Sequence, residues 1–411
     1  MNRREFLRNT VLATVGLGIG GVWGWDKILS KRVDAITGKL SVRNIRHLPT
    51  GDNGTKRYIC WETDEPMANP QLECDGVKYA CEDISFCDEK EVHQYKATLT
   101  DLAPKSEYSY RMADEGKVTE WFSFKTDAKG DFSFLVFPDS QSSDYRLWQK
   151  IAGEAWSRNP RAELFVNLGD LVDNGQQNFQ WNEWFDAVKE MGPSLLFVPV
   201  MGNHECYDLA WQTREPVSYT HYFPLPYYYS FDYGDAHFVS LSTCGRELGE
   251  ELMSRQEEWL ENDLASCKKK WKIVFMHRDV LQYSSNKFPN REGFSEEGIR
   301  FMPVFDRHQV HLVLTAHLHT YRNHGHIRNF QKSADGPLYI LTGIAGNCFY
   351  DNLWKAHPLD DSTAPQPDRG NYLVVTVTGN VLTVNTYLAD GTLLETMTAA
   401  DSMAHEDKEG G

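Results

Sequence analysis

An apolar run from Leu195 to Met201 ends in Gly202, Asn203, His204 and Glu205. An amide, an imidazole and a carboxylate at the mouth of a buried strand are costly to bury unless something there uses them. Four other apolar runs end in a similar way. "FSFLVFP" leads into Asp139, Ser140 and Gln141, and "AELFVNL" into Gly169 and Asp170. "WKIVFM" leads into His277, and "VHLVLTA" into His317, Leu318 and His319. Asp, Asn and His supply the oxygen and nitrogen donors that borderline metals take. A lone Asp after a strand is usually a cap or turn former, and a lone His is usually just a satisfied polar group. Five strand ends carrying such groups together point instead to a metal site. Two ions sharing Asp170 are the economical arrangement. Such a pair, roughly 3.5–4 Å apart, clamps the oxygens of a phosphoryl group and provides a metal-bound hydroxide near neutral pH. His204, beside Asn203, is placed to protonate a leaving alkoxide.

The elements that must position these groups follow from the pattern of the runs. The five runs, with "AHFVSLS", are continuously apolar, as strands buried on both faces are. Helical stretches lie between them: "RLWQKIAGEAW", "NFQWNEWFDAVKEM" and "SRQEEWLENDLASC". This is an α/β layered domain, expected over 130–398, with ligands at the carboxyl edge of its sheets. Residues 36–127 differ. "KRYICWETD", "QYKATLTDL" and "EWFSFKT" alternate apolar and polar between turn segments, which predicts a small all-β sandwich. After about residue 370, "NYLVVTVTGNVLTVNTYLADGTLLET" predicts a hairpin plus one strand, and 399–411 a polar tail.

The chain opens with Arg3, Arg4, Phe6 and Leu7 and an uncharged run of 17 residues from Asn9 to Trp25. This is an export signal of the twin-arginine kind, expected to occupy 1–35 and to direct the protein to the periplasm, cell envelope or exterior. Cleavage and retention as a membrane anchor are both open. The net charge of −16 argues against a general nucleic-acid binder, which needs a basic face. It leaves room for a small phosphorylated substrate, because bound cations invert the local field. Eight cysteines without a Cys-x-x-Cys pair make a zinc ribbon a poor fit. Cys60, Cys74, Cys81 and Cys87 either pair with one another or stay as free buried thiols.

The ordered set Asp-x-Gln, Gly-Asp, Gly-Asn-His-Glu, His and His-x-His resembles the calcineurin-like metallophosphoesterases. "YYYSFDYGDAHFVSLST", "RQEEWLENDLA", "FMHRDV" and "AHLHTYRN" are similar to the purple acid phosphatase branch. "RYICWETD" and "YKATLTDLAPKSEYSYRM" resemble the fibronectin type III-like module that precedes those catalytic domains. The resemblance implies a two-domain protein, a fibronectin III-like β-sandwich followed by an αββα layered metallophosphoesterase domain. It also implies one metal on Asp139, Asp170 and His319, and a second on Asp170, Asn203, His277 and His317, with His204 on the phosphate. Three positions depart from the pattern. Asp173 stands where the branch has a ferric-binding Tyr. Gln141 stands where other members have a His and is read as a ligand or near-ligand. Ala316 replaces a Gly, which matters if that position needs a positive φ. The implied cofactors are two ions, iron, manganese or zinc, with magnesium a further candidate. The implied reaction is phosphomonoester hydrolysis. Phosphodiester or nucleotide hydrolysis on the same centre is the enzymatic alternative, and a non-catalytic cell-envelope binding protein the other. Oligomeric state is not legible.

Overall fold

The structure is a computed structural model that describes residues 38–128, 130–366 and 368–400. The expected export segment at 1–35 and the tail beyond Ala400 lie outside the described residues. No helix among the described residues is long and apolar enough to cross a membrane.

The C-terminal half is two face-to-face sheets with helices outside each. In the first, β1 (Phe132–Phe137), β2 (Leu164–Asn167) and β3 (Leu196–Pro199) run parallel. In the second, the hairpin β4 (Tyr229–Tyr233) and β5 (Ala236–Leu241) leads into β6 (Trp271–Met276), β7 (Leu312–Thr315) and, after β8 (Tyr321–Arg328), β9 (Leu338–Thr342). β5, β6, β7 and β9 are mutually parallel neighbours. The closing meander, β10 (Asn371–Val377), β11 (Val381–Leu388) and β12 (Leu393–Ala400), attaches antiparallel to β1.

Alternate side chains explain why the runs are apolar throughout. Phe134 and Val136 of β1 point into the core between the sheets, with Phe238, Phe275 and Leu314. Leu135 and Phe137 point outward, under α1 (Arg146–Arg158) and α2 (Asn178–Val188), against Trp148 and Trp184. α3 (Glu250–Ser266) and α4 (Glu296–Arg307) cover the second sheet through Leu260, Leu264, Phe301 and Phe305. Helix α4 is absent from the sequence reading because Pro303 lies inside it. Its start is nonetheless well capped, with the Ser295 hydroxyl accepting from the Gly298 N–H.

The N-terminal domain is the expected sandwich, with Ile59, Trp61, Tyr95, Tyr110 and Phe124 in its core. One strand departs from the half-buried expectation. Arg57–Thr63 is buried on both faces, because Cys60 turns away from the sandwich core into the helix-side core of the C-terminal half. The preceding strand, Arg43–Leu48, pairs parallel with β3 at His47 and Leu196, so one sheet runs through both domains. All eight cysteines are free.

Candidate metal centre

The parallel strands deliver their following loops to one edge, and all eight sequence-predicted site residues meet there. Two groups of three donors share Asp170: Asp139, Asp170 and His319, and Asp170, His277 and His317. Within each group the donor atoms all lie within 4.8 Å of one another. Asn203 Oδ1 lies 3.3 Å from His277 Nε2 and joins the second group. The Gln141 amide lies 3.4 Å from His319 Nε2, beside the first.

The backbone holds the two carboxylates by one oxygen each. Asp139 Oδ2 accepts the His317 N–H at 2.8 Å, and Asp170 Oδ1 accepts the His204 N–H at 2.8 Å. The other oxygens face the donors: Asp170 Oδ2 is 3.1 Å from His277 Nε2. Asp139 Oδ1 and Gln141 Oε1 are buried with no hydrogen-bond partner within the protein. Buried acceptors are normally satisfied, so two orphans at one place need a cation or a cation-held ligand. The imidazoles are locked from behind. His277 Nδ1 donates to Leu168 O at 2.9 Å and His319 Nδ1 donates to Cys348 O, which aims each Nε2 at the carboxylates. The residues fit a metal pair.

The electrostatics agree. Burial alone would raise the Asp170 carboxyl, but the His277 and His204 imidazoles overcome it and hold it well below the carboxylate range. Burial would lower His277, yet Asp170 and Asp139 together raise it to about 10. Two buried carboxylates are thus drawing positive charge, which a cation supplies in place of that proton.

Tight loop geometry goes with this convergence. Asp170, His317 and His319 have φ of 48°, 75° and 53°, a region that non-glycine residues occupy only when surroundings impose it. Ala316 is not among the positive-φ residues, so its replacement of Gly carries no strain. A Cβ on Gly202 would lie 2.2 Å from Asp170 N, so the loops touch closely enough to require a glycine there.

Three contributors were not assigned from sequence. The Glu205 carboxylate accepts the backbone N–H groups of Gly202 at 2.8 Å, Asp170 at 3.0 Å and Leu171 at 2.8 Å, tying two ligand loops together. Burial and the Asp170 charge push its carboxyl up to about 7. Asp173, in place of the branch's Tyr, supports His204: its carbonyl accepts from His204 Nδ1 at 2.6 Å. His204 Nε2 then faces Asp170 Oδ2 at 3.9 Å. Tyr350 stacks on His319, with centroids 4.4 Å apart and planes within 5°. Among these the sequence signalled only Asp173, three residues past Asp170, and Glu205, two residues past Asn203 at the same strand end.

The chain matches known families in both halves. Residues 132–321 match the calcineurin-like phosphoesterase model, and 42–126 the purple acid phosphatase N-terminal domain model. An uncharacterized protein of Mycobacterium tuberculosis is 27% identical over 391 residues, covering 79% of this chain and 71% of the relative. Purple acid phosphatase 21 of Arabidopsis thaliana is 28% identical over 280 residues, covering 64% and 60%. The solved purple acid phosphatase of yellow lupin (Lupinus luteus) seeds superposes with a TM-score of 0.76 at 17% identity, covering 88% of this chain and 75% of that one, and so shares the fold. The chain thus joins a purple acid phosphatase N-terminal domain to a calcineurin-like phosphoesterase domain, the domain pair of a phosphoric ester hydrolase.

Proposed function

We propose that this protein hydrolyses phosphomonoesters at a dinuclear metal centre. The observation that carries the reading is the pair of three-donor groups sharing the Asp170 carboxylate. One ion would be held by Asp139, Asp170 and His319, with Gln141 as fourth donor, and the other by Asp170, Asn203, His277 and His317. Two cations there supply Lewis acidity, polarising phosphoryl oxygens and making water acidic enough to attack near neutral pH. The oxygen-rich first set favours iron, manganese or magnesium, and the nitrogen-rich second set zinc, iron or manganese.

The chain's own residues do the rest. Asp170 keeps one oxygen on the His204 N–H, which fixes the carboxylate that both donor groups share. His204 keeps its Nδ1 proton on the Asp173 carbonyl, so Nε2 is the atom at which a proton is gained and lost. A protonated Nε2 neutralises the departing alkoxide. Asp173 has a carboxylate where a phenolate ligand would stand, so we assign it to His204 and not to a metal; Asp173 Oδ1 lies 3.7 Å from His204 Nδ1. Export by the twin-arginine route, on the strength of Arg3 and Arg4, belongs to the same proposal.

The test is hydrolysis of an aryl phosphomonoester and an aryl phosphodiester by chelator-stripped protein, with Mn, Fe, Zn or Mg restored singly and in pairs. The monoester should be the faster substrate. Faster diester hydrolysis would overturn the substrate assignment, and no hydrolysis of either would favour a binding role.

A further inference from the structure

Trp211 is 53% exposed, an unusual position for the largest apolar side chain, and its ring lies beside His204. Their centroids are 6.0 Å apart and their planes nearly perpendicular, at 84°. Tyr207 completes the cluster, 5.5 Å from His204 and 6.0 Å from Trp211. The Trp211 ring is therefore not a packing element of the core. It stands in solvent beside His204.

The loop that carries it is held firmly. Trp211 has a φ of 60°, a conformation that bulky residues rarely adopt. Asp208 imposes it: its Oδ1 accepts the N–H groups of Ala210 and Gln212, each at 2.8 Å, and its carbonyl accepts the Trp211 N–H at 2.9 Å. Three residues on, Arg214 donates to both oxygens of Asp88 in the N-terminal sandwich, at 2.8 and 2.7 Å. Asp88 also accepts from Ser218 at 2.8 Å. The sandwich domain thus braces the loop, and an exposed ring on a braced loop is a preorganised binding surface.

We infer that Trp211, backed by Tyr207, is the platform for a flat aromatic ring carried by the leaving alcohol of the substrate. The inference rests on the proposed role of His204 as the group that meets the leaving oxygen. The first carbons of the alcohol extend from that oxygen, which brings a ring one or two carbons further out over the indole face. Stacked aromatic pairs gain free energy beyond their buried area, which an aliphatic ring of the same size does not match.

Two esters of similar leaving-group acidity separate these cases: 2-phenylethyl phosphate and 2-cyclohexylethyl phosphate. With metal-loaded full-length protein, the ratio of their kcat/KM values should favour the aromatic ester by about three- to tenfold. The ratio should fall to below about twofold in Trp211→Ala and recover in Trp211→Phe, with the change in KM. A ratio near one in the unaltered protein, or one unmoved by Trp211→Ala, overturns the inference. Failure to hydrolyse either ester, and phenyl phosphate as well, overturns the phosphomonoesterase reading on which it rests.

Discussion

Replacing Glu205 by Gln tests whether the metal centre is held together from behind. The carboxylate binds no proposed metal, yet it accepts Gly202 N and Asp170 N on Oε2, and Leu171 N and, at a longer 3.4 Å, Val172 N on Oε1. Gln has the same shape but one acceptor. Its NH₂ must face donors whichever way it turns. Turned toward Leu171 and Val172 it gives up one good bond and one long one, the cheaper choice. Stranding a buried N–H costs about 1–3 kcal/mol, and the long Val172 contact adds about 1 more, so the total is about 2–4 kcal/mol. That is a large share of the roughly 5–15 kcal/mol by which domains are stable. Because Asp170 and Asn203 sit on the two loops being released, metal affinity should fall about 10- to 100-fold. The assay is metal content at set free-metal concentrations, alongside urea unfolding with and without metal. Glu205→Gln should unfold at lower urea and need more metal to saturate. Wild-type metal affinity and an unshifted midpoint would refute the claim that Glu205 organises the centre.

His204→Ala should lower turnover on a phosphomonoester by about 10²–10⁴-fold while leaving metal content as it was. Unchanged turnover, or loss of metal, would contradict the leaving-group role. Stability should also depend on pH through His237, far from the centre. Burial would lower this imidazole, but the hydrogen bonds it donates to Asp232 and Asp263, both at 2.8 Å, raise it to about 9. A group whose pKa is raised by folding contributes fully below its unfolded value, about 6.5, and loses that contribution as pH rises through its folded value. The loss between pH 6.5 and about 9 amounts to at most about 3 kcal/mol. His237→Asn should shrink the fall in urea midpoint between pH 6 and pH 9. His324, also raised to about 9 against burial by Asp279 and Asp360, keeps its own share of the slope. Equal slopes in variant and parent would contradict the assignment.

The residues that converge here were legible because each follows an unbroken apolar run. A buried parallel strand advertises itself by that run, and polar donors at its end have few structural reasons to be there. The sandwich and the closing meander were readable from alternation. What stayed hidden depends on contacts that no local pattern encodes. Glu205 acts through backbone N–H groups of a loop 35 residues away, and the Asp173 contact with His204 runs through a carbonyl that every residue carries. Cys60 looks like one position of a half-buried strand, and its second buried face exists only because the catalytic half packs there. Helix α4 was masked by Pro303, a residue that ordinarily ends a helix. No local pattern marks Trp211, exposed beside His204, or Tyr350, stacked on His319.

The central claim is that two cations share the Asp170 carboxylate. Anomalous diffraction from crystals of protein purified without chelator tests it most directly. The account predicts two peaks about 3.5–4 Å apart on either side of that carboxylate, with His319 at one and His277 and His317 at the other. A single peak, or two that do not both contact Asp170, would contradict it.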